Sequence, residues 1–212
     1  MRNMKLEPTL HDNALNLDAG DRDAYVRLFL DDAQWINQAE GLLNAAKALQ
    51  PQVDAVWANL SAHARDSSVL FISDVPHRIQ LMLFSFAIEN LMKAFLIREK
   101  KAGYEVRMKT NPILPQELRT HDLVKLATAV GEIRPRFKQE LDRDREELLK
   151  RLTRRATWSG RYPVPVGYQE LSGEQRFLDG SVGSLSYKTN SDPGDAVHLV
   201  NELCSALGLR RP

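Results

Sequence analysis

The stretch IQLMLFSFAIENLMKAFLI, Ile79 to Ile97, limits the fold more than any other part of the chain. Its 19 residues are enough to cross a bilayer. It nevertheless carries Gln80, Glu89, Asn90 and Lys93, and charges near the middle of a lone span are costly. We therefore read it as a helix buried on most sides in a soluble core, because a helix that is apolar almost all round must be covered by other elements. Burial then makes a demand, since a buried carboxylate without a partner costs several kcal/mol. Glu89 and Lys93 are spaced i, i+4 and can satisfy each other. The other reading is that Glu89 or Asn90 anchors an arginine from elsewhere, with Arg161 the best placed.

The rest of the chain supplies the cover for such a helix. From Asp21 to about Leu49, Tyr25, Leu28, Phe29, Trp35, Ile36, Ala39, Leu42 and Leu43 recur at helical spacing and predict one helix. Pro51 suits the first turn of another, and Asp74 and Pro76 read as the start of the apolar helix. That helix is expected to end near Lys101. Residues 102–119, with Gly103, Pro112 and Pro115, then read as a loop. Thr120 caps a short helix, HDLVKLATAV, that stops near Gly131. A long charged helix follows from about Pro135 to Ala156, with Leu141, Leu148, Leu149 and Leu152 as its apolar stripe. Residues 166–191 read as loop. The last helix starts at SDPGDAV, with Asp192 as cap, and ends at Gly208. SSVLFIS, Ser67 to Ser73, is the only stretch with a strand signal worth noting. The expectation is an all-α bundle in which residues 1–74 form a helical N-terminal extension packed on a helical domain of residues 75–212.

Composition closes off some functional classes. The single cysteine, Cys204, excludes an intrachain disulfide and fits a cytoplasmic setting. The net charge of +1 argues for no polyanion partner at the level of the whole chain, so a basic patch would have to be local. The start, MRNMKLEPTLHDN, has no apolar core and does not read as a signal peptide. No membrane partner is expected. No Gly-rich phosphate loop is present, and His11, His63, His77 and His198 lack metal-ligand spacing, so neither metal nor cofactor is expected.

Three places could carry chemistry. His121 follows the capping threonine and so is expected in a first helical turn, where the positive helix end would lower its pKa and suit it to proton transfer; the other reading, which its position alone favours, is a histidine that packs and hydrogen-bonds its neighbours. In WSGRYPVP, Trp158 to Pro165, two prolines stiffen the backbone around Arg161 and Tyr162. A planar guanidinium on so stiff a segment suits a phosphate or carboxylate; the other reading is a rigid linker with Arg161 in a structural ion pair and Tyr162 in the core. The approach to it is basic, because Lys150, Arg151, Arg154, Arg155 and Arg161 lie between Leu149 and Tyr162 with no acid among them. Cations near a helix end are ordinary, but nucleic-acid phosphates are another partner for such a run.

Taken in order, AIENLMKAFLI, a loop, HDLVKLA, a charged helix, RYPVP and a final helix resemble the HEPN superfamily. Those are α-helical, up-and-down bundle domains common in prokaryotic toxin–antitoxin and defence systems. The resemblance covers roughly residues 75–208. It implies a homodimer, an antitoxin-type protein partner, and in catalytic members a metal-independent ribonuclease whose arginine and histidine line a shared cleft. The usual motif is an arginine, a few polar residues and a histidine. After Arg161 this chain reads YPVPVGYQ, without histidine, and Arg119 and His121 are too close together to fit. One reading is a domain that binds RNA or a nucleotide phosphate through Arg161, Tyr162, Arg154 and Arg155, with Glu89, Asn90 and Lys93 as a supporting polar core. A second is a divergent ribonuclease in which Arg161 holds the phosphate and His121 moves the proton. A third is a non-catalytic bundle whose function lies in protein–protein contacts.

Overall fold

The computed structural model describes residues 19–63, 75–111, 113–140, 143–159, 174–176, 182–184 and 192–209. They form an all-α helical bundle. In chain order the helices are α1 (Ala19–Phe29), α2 (Asp32–Ala48), α3 (Gln50–His63), α4 (Val75–Thr110), α5 (Gln116–Arg119), α6 (Leu123–Ile133), α7 (Pro135–Glu140), α8 (Arg143–Arg154) and α9 (Asp192–Ala206). Arg155–Ser159 is a π-helical turn continuing α8. One antiparallel pair, β1 (Glu174–Arg176) with β2 (Val182–Ser184), lies in the stretch expected to be loop.

α4 is the axis of the bundle. Its 36 residues extend about 54 Å at 1.5 Å per residue. α2, α9 and α6 pack along it. By length and composition it could cross a membrane, but 72% of its apolar window is buried inside the protein. One core cluster joins Val26 and Leu30 near α1, Ala39 and Leu43 of α2, the interior of α4, Leu126 of α6, Leu149 of α8 and Val200 of α9. The N-terminal helices therefore share a single apolar interior with the later ones.

Several local expectations change, each for an identifiable reason. The helix expected from Asp21 to Leu49 is two. Asp31 adopts extended backbone and its carboxylate accepts from the Ala33 amide at 3.2 Å, which starts α2 anew. The indole Nε1–H of Trp35 donates to the Phe29 carbonyl at 3.0 Å, covering an acceptor left at the end of α1. α4 runs nine residues past Lys101, through what was expected to be loop. Tyr104 and Met108, one helical turn apart, are both buried and draw the chain onward despite Gly103. The cap of α6 is Asp122, whose carboxylate accepts from the Val124 and Lys125 amides at 3.0 and 3.2 Å. Thr120 instead accepts from the Asp122 amide at 3.0 Å. α6 continues past Gly131, where a Cβ would come 3.0 Å from Cβ of Lys138, so glycine lets α7 cross closely.

Other expectations hold. Pro51 lies in the first turn of α3 and Pro76 in that of α4. Leu148, Leu149 and Leu152 form the buried stripe of α8. α9 is followed by Gly208 with φ +69°, and the Leu209 amide reaches back to the Cys204 carbonyl at 2.8 Å. The strand reading of Ser67–Ser73, the Asp74 cap and Leu141 lie outside the described residues.

Candidate functional site

The polar residues of α4 sort into two groups. Glu89 and Lys93 are buried, at 6% and 3% exposure. The Lys93 ammonium donates to Glu89 Oε1 at 2.6 Å, so the i, i+4 pair expected from spacing forms. Lys93 Nζ also stands 5.6 Å from the ring centroid of Trp35 on α2, a second source of stabilisation for a cation taken out of water. Asn90 faces elsewhere and lines a groove with Tyr25, Phe29 and Trp35.

The carboxylate of Glu89 has a second partner. His121 Nδ1 lies 3.0 Å from Oε1 and 3.1 Å from Oε2. Facing a carboxylate, Nδ1 carries a proton and donates, which leaves Nε2 as the ring nitrogen not engaged by Glu89. The histidine side chain is 63% exposed while that of Glu89 is only 7% exposed. An accessible imidazole is thus aimed by a buried carboxylate, itself anchored by a buried ammonium. That is the arrangement of a proton-transfer group with its orienting acid.

His121 is not in a helical turn, contrary to expectation. It precedes Asp122, which caps α6, and its ring contacts the Glu89 carboxylate. A cleft of about 340 Å³ is lined by Gln116, Glu117, Thr120 and Lys125, and neither His121 nor Glu89 lines it. Lys125 is 75% exposed, with its ammonium 3.4 Å from Asp122.

The basic run is largely drawn inward. Lys150 pairs with Glu146 and Glu147 at 2.8 and 3.0 Å, and these carboxylates raise its pKa. Arg151 makes a bidentate pair with Asp192 at 2.6 and 3.0 Å, fastening α8 to the start of α9. Arg155 is 7% exposed and Arg154 is half-buried. A buried guanidinium does not present itself to a polyanion, so the expected Arg154–Arg155 surface patch reduces at Arg155 to an interior cation. The leucine stripe of α8 faces the core, and it brings Arg151 against Asp192 of α9. Arg161 and Tyr162 lie outside the described residues, as does any contact of theirs with Glu89 or His121.

Cys204 is 4% exposed, and burial pushes its thiol up, as expected of a core residue and not of a nucleophile. Among the described residues, no three His, Cys, Asp or Glu side chains group as metal ligands would. Sequence reasoning missed Trp35 as the ring under Lys93. Its spacing marks only a core face, and nothing in the local sequence points to a cation beside it. Compared with known proteins, the chain matches no family model, no curated protein and no solved structure.

Proposed function

We propose that this protein is a HEPN-like helical bundle that binds RNA or a nucleotide through a phosphate at His121. The observation that carries this reading is an exposed imidazole held by the buried Glu89–Lys93 pair. A buried ion pair is an expensive way to fix one surface histidine, and fixing it serves contact with a ligand better than it serves packing. Lys125, exposed at the first turn of α6, offers a positive charge that Asp122 only partly answers at 3.4 Å. Arg161 and Tyr162 are proposed as further phosphate ligands, through the resemblance and the stiff turn that carries them. A homodimer and a toxin–antitoxin or defence setting follow from the resemblance alone.

A second reading is favoured by the Nδ1 contact itself. A histidine whose Nδ1 is bound to a carboxylate is set to take or give a proton at Nε2. With Arg161 on the phosphate, this would make a metal-independent ribonuclease. Wild type, His121→Ala and Arg161→Ala separate the two when RNA binding and RNA cleavage are both followed in EDTA. Binding weakened by His121→Ala, without cleavage, supports the first. Cleavage lost in both variants supports the second. Folded wild-type protein that neither binds nor cleaves RNA overturns both.

A further inference from the structure

Trp35 also lines a groove of different character. It has a volume of about 390 Å³, within the range of small-molecule sites. Tyr25, Leu28 and Phe29 of α1 and Trp35 of α2 form its apolar walls, and Gln38 and Asn90 give it polar edges. Among the described residues, no charged side chain lines it. We infer that this groove binds a flat, uncharged, hydrogen-bonding aromatic ring, of the class of the nucleic-acid bases.

Three observations on the groove point to that class. Its walls are rings already set in order. Phe29 and Trp35 meet edge to face at 5.0 Å and 77°, and Tyr25 follows Phe29 at 6.2 Å and 33°. Trp35 is fixed further by its bond to the Phe29 carbonyl and by the Lys93 ammonium near its ring. A ring so held gives up little freedom when another ring stacks on it, and base–aromatic stacking tolerates any base. The walls are also left partly open, with Tyr25 at 37% and Leu28 at 65% exposure, more than packing alone would leave. The edges are carboxamides. Each offers a donor and an acceptor side by side, the pattern that matches the edge of a base. Among the described residues, Gln38 and Asn90 engage these groups with no protein partner. A charged ligand head would find no counter-charge here, and a purely aliphatic one would leave both amides unanswered.

The inference deepens the nucleic-acid reading and rests on it for the biological ligand, but its test does not. Free nucleosides carry a base and no phosphate, so they probe the groove without the His121 site. Titration of the full chain with adenosine, guanosine, cytidine and uridine, followed by ligand-observed NMR, is expected to show saturable binding of at least one. Asn90→Leu keeps the apolar packing and should weaken that binding about tenfold or more with an unchanged melting temperature. Trp35→Ala should abolish it, whether through the lost stacking surface or a disturbed α2. Absence of nucleoside binding by folded wild-type protein overturns the inference, even where RNA binding persists. So does unchanged binding by Asn90→Leu, and so does self-association through Tyr25 and Leu28 that nucleosides fail to displace.

Discussion

At the scale of single residues, Glu89 carries the most weight. One carboxylate accepts from a buried lysine and an exposed histidine, so it serves stability and the candidate site together. Removing it strands the Lys93 ammonium in the core with only the Trp35 ring beside it. Glu89→Ala is therefore expected to cost about 3–5 kcal/mol in urea unfolding. His121→Ala, which removes an exposed partner, should shift stability by less than about 1 kcal/mol. Similar losses from both would mean that the histidine is part of the packing. The sequence made Glu89 and Lys93 legible because a buried helix forces its charges to pair and their spacing is local. It hid the His121 contact, which spans 32 residues and depends on where α6 docks. It also hid the pairing of Arg151, because absence of acids along a run says nothing about an acid brought in by another helix, here Asp192.

At the scale of elements, boundaries were set by competition between local signals and burial. Asp31 split a continuous apolar pattern because a side-chain acceptor at the right place restarts a helix. Asp122 outcompeted Thr120 for the cap of α6, which moved His121 out of the helix. Neither choice is visible in periodicity. In α4 the opposite happened, as Tyr104 and Met108 overrode Gly103 and carried the helix to Thr110. A Cβ at Gly103 would meet nothing within 4 Å, and the residue is exposed in a helix interior. Gly103→Ala should stabilise the protein by about 0.5–1 kcal/mol, through reduced freedom of the unfolded chain and better helix propensity. Thermal unfolding checks this, and a loss of stability would show that the extension of α4 beyond Lys101 is not helical as described.

At the scale of the whole molecule, the all-α class was readable because the apolar helix could only be a covered core and the remaining patterns were helical. What positions the site is the way three elements meet. α4 supplies the buried acid and base, α2 lays Trp35 against the base, and the turn before α6 sets His121 on the acid. The buried Glu89–Lys93 pair thereby holds an exposed imidazole at the surface. A phosphate contact from such a histidine is worth about 1.5–3 kcal/mol, or roughly ten- to hundredfold in affinity. The most direct measurement is fluorescence anisotropy of a short labelled RNA titrated with wild type and His121→Ala at one fixed salt concentration. Saturable binding by wild type is expected, with a loss of about tenfold or more in the variant and no change in its melting temperature. Equal affinity in the two proteins would contradict it, and would place the function of this bundle away from His121.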